Sequence, residues 1–122
     1  MNPTVNTKPQ VLILVTSDPR AGHRPSEAVR IAAGVGAWKK ADVRIYLRGP
    51  AIRAAGEWVD ELVGEDDFVR YLPIAVSAES PVLVQAGAAE LAELGESPVP
   101  IQAIDDAELA RFCGRATNIL RF

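Results

Sequence analysis

The stretch Pro9-Gln-Val-Leu-Ile-Leu-Val-Thr-Ser-Asp-Pro19 runs directly into Arg20-Ala-Gly-His-Arg-Pro-Ser-Glu-Ala28. Its apolar run, Val11 to Val15, has no polar alternation. A strand of that kind is buried on both faces, as in a parallel sheet covered by helices. A polar, basic loop follows, and then a helix start. In open α/β sheets ligands bind beyond the carboxyl ends of the strands. The loop therefore marks where a site would lie, without saying what it binds.

Working outward, Gln10–Ser17 forms the first strand, and Pro25 with Ser26 opens a helix. Proline suits the first turn because its missing N–H costs nothing there. Ala28, Ile31, Ala32, Val35 and Trp38 recur at helical spacing on one face. Gly34 and Gly36 weaken that helix by roughly 1 kcal/mol each relative to alanine, and their small size suggests a close approach to the sheet. Asp42–Leu47 is a second strand. Its alternation of Val43, Ile45 and Leu47 with Arg44 and Tyr46 suggests a less buried position, at an edge. Ala51–Leu62 reads as a helix with Trp58 inward. Phe68, Leu72, Ala75 and Val76 give another helical stripe, which Pro73 is expected to kink or split. Pro81–Gln85 is a third strand, followed by a helix to Leu94, and Val99–Ile104 is a fourth. Asp105 or Asp106 caps a helix to Cys113, with Gly114 as a left-handed stop. Thr117–Phe122 closes as a strand. Strands alternating with helices throughout indicate a parallel or mostly parallel sheet between helical layers.

The chain has 122 residues, 48% hydrophobic and 24% charged, with a formal net charge of −3. That length buries one core unaided. Residues 9–122 read as a single domain after a flexible polar lead-in, residues 1–8. No basic tail or stripe is present, which argues against a nucleic-acid partner held by phosphate contacts. No apolar window reaches membrane-spanning length, so no membrane partner is expected. One cysteine excludes an intrachain disulfide, and no Cys/His cluster has metal spacing, so neither metal nor cofactor is expected. The cytoplasm is the default compartment.

Three segments carry a resemblance to the DsrE/DsrF-like superfamily, small α/β proteins that include the TusBCD and DsrEFH sulfur-relay proteins. They are Val11-Leu-Ile-Leu-Val-Thr-Ser17 with the helix from Ser26; Ser80-Pro-Val-Leu-Val-Gln-Ala-Gly-Ala-Ala89 leading to Leu94-Gly95; and Ile104-Asp-Asp-Ala-Glu-Leu109 with the ending Asn118-Ile-Leu-Arg-Phe122. Together they cover nearly the full chain, as a likeness of layout rather than of a specific motif. The resemblance implies a three-layer α/β/α sandwich on a mostly parallel sheet of about five strands, and a homo-oligomer. Sulfur-relay members carry a persulfide on a cysteine at the end of the strand before the small-residue helix. Here the corresponding residue looks like Gln85, and an amide cannot form or pass an S–S bond. The resemblance therefore implies a non-catalytic member that binds a small ligand, an anionic one being one option that the basic loop offers, or a protein partner. The alternative is a sulfur carrier using Cys113.

Each site residue has two readings. Arg20, His23 and Arg24 suit an oxyanion beside free helix N–H groups, or form an ordinary solvated loop. Arg48 ends the second strand and Gln85 the third, so both could face one crevice. Ser17 with His23 and Asp18 invites a nucleophilic triad, but no G-x-S-x-G elbow surrounds Ser17 and Asp-Pro sequences make turns. Cys113 reads as a relocated thiol or as packing, since free cysteines are commonly buried. The acidic runs at 65–67 and 105–106 suit helix starts better than a cation. Trp38, Trp58, Phe68 and Tyr71 read as core or subunit contact.

Overall fold

The computed structural model describes residues 8–122. Apart from Lys8, the polar lead-in lies outside the described residues. The element order is β1 (Gln10–Val15), α1 (Arg24–Ala37), β2 (Asp42–Leu47), a 3-10 helix (Gly49–Ala55), α2 (Glu65–Ala75), β3 (Val82–Gln85), a second 3-10 helix (Ala89–Glu93), β4 (Ile101–Ile104), α3 (Asp106–Arg115) and β5 (Asn118–Arg121). The five strands form one sheet in the order β4-β3-β2-β1-β5, and every pairing is parallel.

The pleat sends alternate side chains to opposite layers. Ile13, Val15, Ile45, Leu47, Val82 and Val84 meet Ala28, Val29 and Ala32 of α1 and Phe68 and Leu72 of α2. Leu12, Tyr46, Leu83 and Ile104 face the other way, against Leu109, Phe112 and Cys113 of α3. Ile13 and Val15 are fully buried, and each such branched side chain contributes on the order of 1.5–3 kcal/mol. The unbroken apolar run of β1 thus reflects a strand flanked by β2 and β5 and covered above and below.

The position of β2 corrects the sequence reading. It lies inside the sheet, between β1 and β3. Its alternation separates two different layers: Val43, Ile45 and Leu47 join the aliphatic core, while Tyr46 is buried under α3. Residues 56–62 do not continue the helix; the segment holds only the 3-10 turns Gly49–Ala55. The expected helix before Leu94 is likewise a short 3-10 segment. Extended Gly56 and the left-handed Gly87 and Gly95 break α-helical continuation. Trp38 and Trp58 are not core residues: they are 64% and 63% exposed. Lys39, with φ 61°, turns the chain away directly after Trp38.

Helix ends follow local chemistry. Asp105 caps α3 in a capping box with Glu108. Gly114 is helical within α3 rather than a left-handed stop, since the helix continues to Arg115. Glu65, Asp66 and Asp67 occupy the first turn of α2 and make no side-chain cap, so they act on the helix dipole alone. Pro73 sits exposed in the last turn of α2 without ending it.

Two glycines have opposite roles. Gly34 is exposed with open space where a Cβ would stand, so it does not bring α1 close to the sheet. Gly64 has φ +78°, and a Cβ there would sit 2.5 Å from Ser26 Oγ. We expect Gly64→Ala to destabilise by about 2 kcal/mol or more, from left-handed strain plus overlap. Gly34→Ala should stabilise by ~0.5–1 kcal/mol. Urea unfolding checks both; equal midpoints for the two variants would contradict this assignment.

Candidate functional site

The carboxyl ends of the strands form one rim, and the connections leaving it diverge between β3 and β4. The chain after β3 returns over the α1/α2 layer, whereas β4 feeds α3 on the opposite layer. Such a divergence opens a crevice in α/β sheets. Two of the residues singled out from sequence meet there. Gln85 Oε1 accepts the Gly49 N–H at 3.1 Å, pinning the turn that carries Arg48. Arg48 Nη1 donates to Tyr46 Oη and to Asp106 Oδ1, both at 2.9 Å. Asp106, then Tyr46, hold the Arg48 guanidinium above its ordinary pKa. Arg48 is therefore already neutralised from within the chain. Asp106, its partner, is 58 residues away in sequence, and no sequence signal paired them.

The basic loop after β1 divides into separate parts. Arg20 folds back on Asp18 through Nε and Nη2, at 3.2 and 3.0 Å, while its backbone N–H also donates to Asp18 Oδ1. This is an Asx-type turn closed by its own arginine. Those Arg20 bonds outweigh the effect of burial and hold the Asp18 carboxyl below its ordinary range. His23 is exposed and precedes α1 without a side-chain cap. Arg24 turns instead toward the end of the chain: Nη2 donates to the Arg121 carbonyl at 3.1 Å, and the guanidinium lies 5.9 Å from the Phe122 ring centroid.

Two cavities adjoin this rim. One, of about 340 Å³, is lined by Arg20, Arg53, Trp58, Glu61 and Glu93 among others. Its cations are engaged: Arg53 pairs with Glu90 and Glu93, and Arg20 with Asp18. With Asp60 and Glu61 also on its wall, it offers an anion no net attraction. The other, of about 440 Å³, lies at the ends of β1 and β5 and is lined by Leu14, Thr16, Ser17, Arg24, Arg121 and Phe122. Ser17 Oγ is buried there and has no hydrogen-bond partner. Among the described residues no carboxylate pairs with Arg24 or Arg121. Arg121 and Phe122 escaped sequence reasoning because only the β1–β5 pairing, Leu14 opposite Arg121, brings the last strand to this loop.

This arrangement supplies cationic and hydroxyl donors and an aromatic wall. Neither His23 nor Asp18 bonds to Ser17, so no base activates that hydroxyl. Cys113 stands on α3, half-buried, packed with Leu12, Tyr46, Leu83 and Ile104. Among the described residues, no three His, Cys, Asp or Glu side chains gather as a metal set, and no helix is long and apolar enough to cross a membrane.

Among solved structures, the crystal structure of the ychN protein from E. coli matches this chain with a TM-score of 0.71 and 18% identity, covering 93% of this chain and 99% of that one. What the two chains share is the fold. No family model matches the chain, and no curated protein matches it either.

The Asp18–Arg20 pair makes a titration prediction. A carboxyl whose native pKa lies below the ordinary 3.8 adds stability that is present above that value and is lost as pH falls through the native one. In Arg20→Gln the Asp18 carboxyl carbon, followed by NMR, should titrate closer to 3.8. An unchanged midpoint would show that Arg20 is not the cause.

Proposed function

We propose that this chain is a non-catalytic, DsrE-like binding subunit whose β1–β5 rim cavity takes a small anionic ligand. The observation that carries the reading is a contrast among its arginines. Arg20, Arg48 and Arg53 are each neutralised by a carboxylate of the same chain. Arg24 and Arg121 are not, and they share a cavity with a buried, unpartnered hydroxyl. Two guanidiniums bordering one space suit an oxyanion, and the Phe122 ring offers a wall for an apolar or flat body. Of the residues first singled out, Arg24 is thus the binding residue. Arg48 and Gln85 shape the neighbouring crevice, Arg20 closes its own turn, and His23 stands at the loop surface.

The same reading takes Gln85 as the residue in place of the relay cysteine, tying down the Gly49 turn rather than carrying sulfur. Cys113 acts in packing. The subunit works as a cytoplasmic homo-oligomer. What supports self-association is β5: an edge strand whose Ile119 and Leu120 are 42% and 38% exposed, with no covering element on its outer side. An uncovered apolar edge is a pairing template.

A thermal-shift series with phosphates, nucleotides and sulfur oxyanions tests the ligand reading. A binder stabilises by mass action, about 2.7 kcal/mol at a hundredfold excess over Kd, so the wild type should gain several degrees. Arg24→Gln should lose that gain, while Arg20→Gln keeps it. Equal gains in wild type and Arg24→Gln would remove Arg24 from the site.

For self-association, light scattering on a size-exclusion column should give a mass above 13.1 kDa. Ile119→Lys should shift it toward that value. A wild-type monomer at micromolar concentration would contradict the oligomer.

A further inference from the structure

The opposite end of the sheet carries a second set of unneutralised cations. α3 runs back over the sheet, so its last turn lies above the starts of β1 and β2. A cavity of about 330 Å³ opens there, lined by Gln10, Asp42, Arg44, Ser80, Phe112 and Arg115 with Val11, Leu12 and Ala116 as apolar floor. The Arg44 guanidinium lies 5.0 Å from the Phe112 ring centroid and that of Arg115 4.9 Å from it. The two cations therefore stand within about one Debye length (~10 Å) of each other. Each is drawn to the ring quadrupole, but the ring carries no net charge to offset their repulsion.

Neither arginine has a carboxylate partner among the described residues. Arg44 Nε is buried with no acceptor at all, and no acceptor in the described protein receives its terminal nitrogens. Burial first, and then the field of Arg115, lower the Arg44 pKa. A half-buried arginine without an anion is costly, so the site is incomplete as it stands. The acidic group on the wall does not complete it. Asp42 is held by the Gln10 amide at 2.8 Å and by Lys8 at 3.6 Å.

We infer that this cleft between the start of the sheet and the end of α3 is a binding site for a phosphate-bearing small molecule. The phosphate takes Arg44 and Arg115 together, since a doubly charged group matches a pair of guanidiniums. The rest of the ligand covers Val11, Leu12 and Ala116. This site is separate from the rim cavity and stands whether or not the rim binds an anion.

The test uses the whole chain and inorganic phosphate as the probe, with backbone amide NMR and chloride at matched ionic strength as the reference. Phosphate should give saturable shifts centred on Arg44, Phe112, Arg115 and Ala116, which chloride does not reproduce. Arg115→Gln, an exposed change that spares the core, should weaken this binding roughly tenfold or more. Arg44→Gln should do the same if it folds. Arg24→Gln should leave these shifts intact, which separates the two sites. Non-saturable shifts, equal shifts with chloride, or unchanged affinity in Arg115→Gln would each overturn the inference.

Discussion

The structure depends on the burial of β1 from both sides. Ile13 and Val15 meet the α1/α2 layer, while Leu12 meets α3. Parallel pairing to β2 on one side and β5 on the other leaves no open edge on this strand. The candidate rim site follows from where that strand ends. Its carboxyl end delivers Thr16, Ser17 and the basic loop to the rim, and the chain must leave through α1. β5 arrives alongside only because α3 carries the chain across the other face, so Arg121 and Phe122 are brought to Arg24 by long-range topology.

Charge is distributed over this frame in two classes. Arg20, Arg48 and Arg53 are satisfied internally and stiffen turns and crevices. The Arg20–Asp18 and Arg48–Asp106 pairs are substantially solvated, so they add little stability and serve mainly to fix geometry. Arg24 and Arg121 at one end of the sheet, and Arg44 and Arg115 at the other, have no carboxylate partner among the described residues. A chain with formal net charge −3 has carboxylates to spare, yet these four arginines stand beside cavities without one among the described residues. The likeness to ychN is a likeness of fold and leaves that chemistry to this chain's own residues.

The layered fold was legible in the sequence because two signals agreed: the apolar run of β1 and the regular alternation of strands with helices. The cap of α3 was readable to within one residue, Asp105 or Asp106, because capping is local, and it falls on Asp105. Other features were less so. The edge position inferred for β2 failed because Arg44 and Tyr46 look like a solvent face but lie under α3, where Tyr46 finds Arg48 and Arg44 finds Phe112. The aromatic stripe misled at Trp38 and Trp58, whose rings lie outside the core. At the candidate site, residue types drew attention to the loop after β1, but only partnership separates its arginines. Asp18 silences Arg20 from two residues away, Asp106 silences Arg48 from across the sheet, and Arg24 finds no such partner.

The claim at the centre of this account is that the fold holds a cationic rim cavity open for an anion between β1 and β5. A crystal structure from oxyanion-free solution, followed by a short soak in sulfate, addresses it most directly. The account expects sulfate density touching the Arg24 guanidinium within the cavity lined by Ser17, Arg121 and Phe122. An Arg24 turned onto a carboxylate of its own subunit, with the cavity closed to sulfate, would contradict it.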